Sequence, residues 1–566
     1  MDFKRNIAEA IGKCIEIGAD ELADLIEIPP DSSMGDFAFP CFKLAKQLRK
    51  APPAIAAELC SSIKLPQGVR DAKALGGYLN FTVDPNAFAR AALESALAEG
   101  ENYGASDEGN GKTVCIDYSS INIAKPFHIG HLSSTVIGHS LYRIYNFLGY
   151  RCVGINHMGD WGTQFGKLIV AFLRWGDKEA VEKEKIRALL ELYVRFHDEA
   201  EKDDTLNDEA RAWFKKIEDG DEQALSIFEW FKKLTLEEIG RVYDLLGIRF
   251  DSYAGESFYN DKMGRVVDEL RQKGLLKFDK GAYLVDLEEF KMPPCIILRS
   301  DGASLYATRD IAAALYRKDT YDFYKCLYVV AYQQNLHFKQ WFKVVELMGY
   351  EWAKDLEHVA FGMVSMAEGT LSTRRGKVVF LEEVLEAAVQ KTFDLILEKS
   401  PELENKELVA KQVGVGAVVW NALYNNRIKD VVFSWDKALN FDGETGPYVQ
   451  YTHARCCSVL RKGEDIGAQI GEIDYGALED AESMALLKAI AAFPDAVREA
   501  AERYEPYLVS RSVIDVCSAF NKFYYDHRIM EADPAVRRAR LALTRAARNA
   551  IAAGLNLLGI EATQKM

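Results

Sequence analysis

Residues 113 to 166 constrain the chain more than any other stretch. Thr113 to Tyr118 (Thr-Val-Cys-Ile-Asp-Tyr) is β-branched and apolar, which predicts a buried strand. Apolar residues then recur at Ile129, Leu132, Val136, Leu141, Ile144 and Leu148, the spacing of one helix face. Gly149 is placed to end that helix, and Tyr150 to Ile155 reads as a second strand. Strand, loop, helix, strand is a βαβ unit. In such units a ligand sits at the carboxyl ends of the strands.

The loop before the helix should therefore carry chemistry. His128 and His131 flank Ile129 and Gly130 at the helix start. Exposed amides and the positive end of the helix dipole favour an anion there. Gly130 has no side chain, so a flat ring can lie against the backbone. Two imidazoles can donate to phosphate oxygens, most strongly where charge develops in a transition state, and Lys125 adds a fixed positive charge beside them. Taken alone, the same two histidines could equally cap a helix.

The wider stretch narrows this choice. His128-Ile129-Gly130-His131 resembles the first ATP-binding motif of class I aminoacyl-tRNA synthetases. Ser119-Ser120, Asn122-Ile123-Ala124-Lys125-Pro126 and Gly159-Asp160-Trp161-Gly162-Thr163-Gln164-Phe165-Gly166 resemble the arginyl-tRNA synthetase family in particular. The resemblance implies a Rossmann-type α/β catalytic domain with a helical insertion, a small α/β N-terminal domain and an all-α C-terminal anticodon-binding bundle. It implies domains over 1–98, 113–400 and 405–566, with the connecting insertion at about 167–255.

Composition agrees with a globular enzyme. The 566 residues predict about three to four domains, and 49% hydrophobic with 27% charged residues is ordinary. No run approaches the ~20 apolar residues that span a bilayer, so no membrane association is expected. Ten scattered cysteines without a Cys-x-x-Cys argue against a disulfide framework or a metal site and suit a reducing cytoplasm. A net charge of −15 opposes nucleic-acid binding at first sight, but binding needs only a local basic face.

Further along, Gly35 to Pro40 leads into a stretch with Lys43, Lys46, Arg49 and Lys50, which Pro52 and Pro53 interrupt. This N-terminal part resembles the family's additional tRNA-binding domain. Ser257 to Tyr259 and Ala282 to Val285 read as short strands. Leu305 to Ala312 opens a helix on which Tyr306 and Asp310 share a face if it begins early. Gln333 to Phe338 is a polar cluster following the apolar strand Cys326 to Tyr332, at a ligand edge.

A guanidinium offers five planar donors and no acceptor, so a selective pocket must supply carboxylate, amide and hydroxyl oxygens. By resemblance the arginine-binding residues fall on Asp117, Asn122, Tyr306, Asp310 and Gln334. Tyr306 and Asp310 would grip the guanidinium, with Asn122 and Gln334 at the α-amino and carboxylate end. The plain alternative for Asp310 is an ion pair with Arg309 or Arg317. His337 either bonds near the ATP ribose or satisfies a buried carbonyl. Ser120 is a further ATP contact.

Gly369 to Val379 occupies the place of the second ATP motif, the Lys-Met-Ser-Lys-Ser loop at 369–377, whose mobile positive charge stabilises the leaving pyrophosphate. Thr370 and Thr373 stand where the motif has lysines. Lys125, preceding the histidine motif, is the implied substitute, with Arg374 and Ser372 as loop contacts. A merely basic loop against the tRNA end is the alternative. The C-terminal third reads almost wholly helical and supplies aromatics and cations suited to RNA loops. Tyr448, Arg455, Tyr524 and Arg528 are the candidates, although most aromatics in a bundle are core. Together these features imply an arginine–tRNA ligase acting on ATP with Mg²⁺, L-arginine and tRNA(Arg), cytoplasmic and monomeric, with no resident metal site. A non-catalytic tRNA-binding paralogue, a small nucleotidyltransferase and a class I synthetase of other specificity are the competing classes.

Overall fold

The computed structural model describes residues 2–29, 31–300, 305–366, 379–441, 443–467 and 470–566. The chain forms two compact units, each built from three segments.

The first unit comprises Met1–Tyr103, Val459–Ala492 and Ser518–Asn549. Its three-stranded antiparallel sheet runs Phe37–Pro40, Tyr78–Val83, Val69–Leu75 in spatial order. Phe3, Ile7 and Ile11 repeat at helical spacing on Phe3–Ile15 and pack with Ile55, Leu59, Leu79 and Phe81 into one core. The helix before Pro52 and Pro53, Ala45–Leu48, has already ended at Arg49 in the left-handed conformation (φ +51°), and the two prolines open the next helix, Pro52–Ser62, rather than interrupting one. In a first turn the missing N–H has no partner to lose. The unit's segments are tied by Asn549 Nδ2 donating to the Ala96 carbonyl (2.8 Å) and Tyr103 Oη to that of Ile490 (3.1 Å).

The second unit comprises Gly104–Ser458, Phe493–Cys517 and Ala550–Met566. At its centre is a four-stranded parallel sheet in the order Leu356–His358, Lys325–Tyr328, Thr113–Asp117, Arg151–Ile155. Asp117 lies in register with Ile155 on one side and Tyr328 on the other, and Tyr328 with His358. Four strands thus end at one edge. The crossover helix is Leu132–Phe147, and it approaches the first strand's exit so closely that a Cβ on Gly138 would lie 2.2 Å from that of Tyr118. Gly149, at φ +79°, closes the helix as expected.

A helical insertion follows, from Thr163–Trp175 to the long Glu222–Leu246. Its core includes Phe165, Leu168, Ile169, Phe196, Phe228 and Phe231. An antiparallel sheet of Leu276–Asp279, Ala282–Val285 and Cys295–Arg299 precedes the helix Tyr306–Tyr321. Ser257 to Tyr259 is not the expected strand. It lies in a 3₁₀ segment, Glu256–Lys262, because Ser257 is bonded to Asp160 rather than to a neighbouring strand. The last third is helical in Lys406–Leu423, Gly446–Asp465, Ala481–Glu502, Tyr507–Asp526 and Pro534–Leu557. One short strand there, Val431–Phe433, pairs in parallel with Val364–Met366.

Candidate active site

The exit from the central strand is strained. Ser119, Ser120 and Ala124 hold φ of +70°, +46° and +58°, a region costly for residues with a Cβ and concentrated at functional sites. Buried hydrogen bonds hold it. Ser119 N donates to Ser134 Oγ (2.9 Å), Ser119 Oγ meets Thr135 Oγ1 and Tyr243 Oη (both 2.8 Å), and Ala124 N donates to Thr235 Oγ1 (3.1 Å). Asn122 pairs by its backbone with Gly159.

This loop delivers His128 and His131 to the helix start, where they form a reciprocal cap. Gly130 N donates to His128 Nδ1 (3.0 Å), and His128 N donates to His131 Nδ1 (3.2 Å). A ring nitrogen that accepts carries no proton, so each neutral ring bears its proton on Nε2. Burial, reinforced by Lys125, lowers His128 from the usual 6.5 to about 4. Burial, reinforced by His128, lowers His131 to about 3. The rings lie 3.9 Å apart, centre to centre. The cap thus uses Nδ1 of each ring and leaves its Nε2–H as the donor.

These lowered values make a stability prediction. The neutral rings' contribution is complete above the unfolded value of 6.5 and is lost as pH falls through about 4 and 3. Denaturant unfolding should lose about 3 to 5 kcal/mol per ring across that window. The loss should shrink in a His128→Asn/His131→Asn double variant.

The segment following the second motif is pinned to the same turn. Ile129 N donates to the Val379 carbonyl (3.2 Å), Leu381 N to that of Phe127 (2.8 Å), and His128 bridges Phe380. Ser372 and Arg374, with the rest of the 369–377 motif up to Lys377, lie outside the described residues.

Asp117 ends the central strand, buried, with both oxygens engaged. Oδ2 accepts from Arg317 Nη2 and Oδ1 from Ser120 Oγ, each at 2.7 Å. The Arg317 side chain is 1% exposed and its guanidinium lies 5.3 Å from the Tyr328 ring centre. The hydroxyl of Ser120 is thus turned to Asp117. Tyr306 opens its helix and is 69% exposed, and Asp310 follows one turn later. Asp310 Oδ2 meets His337 Nε2 at 2.6 Å. The plain alternative for Asp310 is not what forms, since Arg317 pairs with Asp117 and Arg309 with Glu256. Nor does His337 serve a buried carbonyl through that nitrogen. Gln334 is exposed at the start of Asn335–Leu347.

Sequence reasoning passed over His157 and Glu256. His157 follows the second strand, Nδ1–H donates to the Ala254 carbonyl (3.3 Å), and burial holds it below its ordinary value against the pull of Asp117 and Asp310. Its position two residues past a central strand was the available signal. Burial raises Glu256 to about 7; its charged neighbours are Arg309, Asp310, Asp160 and Lys125. One carboxyl thus lies within electrostatic reach of the histidine turn and of Asp310. Asp160 is structural: it accepts from Ser257 N and Oγ and from Lys232 (2.7–2.8 Å).

Of the RNA candidates, Tyr448 and Arg455 belong to the second unit and Tyr524 and Arg528 to the first. Arg455 lies over the Tyr451 ring at 4.8 Å, Tyr524 stacks on Phe520, and Arg528 pairs with Glu531 (2.9 Å). Among the described residues no helix is long and apolar enough to cross a membrane.

Three family models match in succession: the arginyl tRNA synthetase N-terminal domain over residues 1–83, the catalytic domain of class I (R) tRNA synthetases over 92–435, and the DALR anticodon-binding domain over 449–566. Similar curated proteins include the arginine–tRNA ligases of Alkaliphilus metalliredigens and Clostridioides difficile, each 56% identical with both chains covered completely. Among solved structures, the arginyl-tRNA synthetase of Thermus thermophilus superposes with a TM-score of 0.86 at 26% identity, covering 100% of both chains. The likeness runs along the whole length of the chain, and the chain belongs to the arginyl-tRNA synthetase family of class I.

Proposed function

We propose that the chain is an arginine–tRNA ligase whose described residues act mainly by position and charge. The observation that carries the chemistry is the histidine pair, neutral and with both Nε2–H groups released by the cap. ATP lies over His128, Gly130 and His131, and the two donors stabilise charge on its phosphates as an arginine carboxylate oxygen attacks the α-phosphorus and pyrophosphate leaves. The terminal ribose hydroxyl of tRNA(Arg) then attacks the adenylate carbonyl, and AMP departs. Mg²⁺ enters with the nucleotide; no carboxylate lies between Ile121 and Thr135 to hold a metal at this turn.

In this reading Tyr306 and Asp310 take the guanidinium, while Asn122 and Gln334 hold the α-amino and carboxylate end. Asp117 contributes through its remaining lone pairs, fixed by Arg317. Ser120 and His337 act through the carboxylates they bond. Lys125, Arg374 and Ser372 belong to the pyrophosphate side by resemblance, and Tyr448, Arg455, Tyr524 and Arg528 to tRNA. The domain spans 1–98, 113–400 and 405–566, a cytoplasmic location and a monomeric state are part of the same proposal.

Arginine-dependent exchange of labelled pyrophosphate into ATP, with and without tRNA(Arg), tests it. Exchange that requires tRNA supports ligase activity and coupling between the RNA-binding parts and the histidine turn. Exchange without tRNA keeps the ligase and removes the coupling. No exchange in either tube overturns the arginine assignment. In the same assay Asp310→Asn should raise the arginine KM about 100-fold, the order of 3 kcal/mol for a charge-assisted guanidinium contact, with the ATP KM little changed.

A further inference from the structure

The stretch that follows the second motif is held from two sides, and only one of them is the histidine turn. Phe380 precedes the helix Leu381–Lys399, whose first turn carries Glu382 and Glu383. Acidic residues there suit the positive end of the helix dipole, which would account for them if they faced water alone. Both are paired with the helical insertion. Arg187 Nη2 meets Glu383 Oε1 at 2.5 Å, and its guanidinium lies 4.7 Å from the Phe380 ring centre. Arg241 Nε meets Glu382 Oε1 at 3.1 Å. Two helices of the insertion, Ile186–Ala200 and Glu222–Leu246, thus converge on Phe380, Glu382 and Glu383.

The helix start that carries Arg187 is itself fixed. Glu238, buried, accepts from Ile186 N (3.2 Å). Lys185 holds φ at +49° and donates to Glu237 (3.0 Å). A backbone costly for a residue with a Cβ persists only where its surroundings over-determine it. On its other side the same stretch meets the site. The Val379 carbonyl accepts from Ile129 N (3.2 Å), Leu381 N donates to the Phe127 carbonyl (2.8 Å), and Phe380 bridges His128. Contacts therefore run unbroken from the insertion, through Phe380 to Glu383, to the backbone that aims both histidines. One exposed ion pair is worth little, but two pairs and a cation over a ring, acting on neighbouring residues, form a network.

We propose that Arg187 and Arg241 are positioning residues for the adenylation step, holding Phe380–Glu383 against the histidine turn so that both Nε2–H donors keep their aim. The inference rests on the reading of those donors as acting on the phosphates of ATP. Preorganised donors count most where charge develops in the transition state. Loosening their support should therefore lower kcat and leave the arginine KM alone.

Pyrophosphate exchange on the full chain, with tRNA(Arg) present, tests this with Arg187→Glu, Glu383→Arg and the double variant, and with Arg241→Met as a separate probe of the second pair. Arg187→Glu removes a pair and the cation over Phe380 and sets two carboxylates face to face. It should lower kcat about tenfold, with the arginine and tRNA(Arg) KM within about twofold and the denaturant midpoint unchanged. Glu383→Arg should lower kcat by a similar factor. The two reversals together should recover to within about threefold of the unaltered chain, the shortfall coming from a cation in the helix's first turn. Arg241→Met should cost about threefold in kcat. An unchanged kcat in both Arg187→Glu and Arg241→Met, a loss that tracks the denaturant midpoint, or a double variant no better than its parents would overturn the inference. So would a loss confined to the tRNA(Arg) KM, which would make these arginines RNA contacts. Normal exchange in His131→Asn would instead remove the reading of the histidine donors beneath it.

Discussion

Replacing His131 by Asn is expected to slow pyrophosphate exchange about 10²- to 10³-fold while leaving the fold intact. An Asn amide oxygen can occupy the place of Nδ1 and accept from His128 N, which His131 Nδ1 does at 3.2 Å. The cap persists and only the Nε2–H donor is lost. Removing one preorganised donor to a developing oxyanion costs about 3–4 kcal/mol of barrier. His131→Gln makes the complementary change, placing an amide N–H near Nε2 and giving up the cap. It should keep more activity than Asn and melt earlier. If both variants lost activity only in proportion to stability, the histidines would be capping residues and nothing more. Their lowered pKa values, about 4 and 3, mean that neither is the ionising group in a rate profile near neutrality.

The cap that each ring makes through Nδ1 was only half legible in the sequence. The spacing His-x-Gly-His before an amphipathic helix gave capping and anion binding as alternatives, because a sequence does not say which ring nitrogen faces the backbone. What local pattern controls was readable: the strand at Thr113–Asp117, the helix start at Tyr306 and the end at Gly149 all depend on neighbours within a few residues. What long-range pairing controls was not. Ser257 to Tyr259 has strand composition, yet it is drawn into a 3₁₀ turn by Asp160, 97 residues away. Glu256 sits in a stretch with no motif and gains its character from burial beside Arg309. Asp160 belongs to the most diagnostic run of the chain, but its carboxylate is spent on Lys232 and Ser257, holding the insertion against the sheet edge. Family likeness identifies such a run without saying whether it binds a ligand or braces what does.

The same distinction governs Arg317→Met, which should destabilise the catalytic unit by about 3–5 kcal/mol, read from its denaturant midpoint. The pair with Asp117 spans 200 residues, joining the end of the central strand to the helix that carries Asp310. Asp117 is 6% exposed, so methionine would strand a carboxylate with Ser120 Oγ as its remaining side-chain donor. An uncompensated buried charge costs more than the pair itself is worth. Restoring neutrality by adding Asp117→Asn should therefore recover much of the loss, although two polar contacts are then gone rather than one. The recovered protein would still bind arginine poorly if Asp117 takes part in substrate binding, and normally if it serves only to fix the strand end. Stability of the double variant thus measures the ion pair, and its arginine KM measures the site. A single variant that kept full stability would mean that Asp117 is protonated or solvated without Arg317, and the strand end would need another explanation for its order.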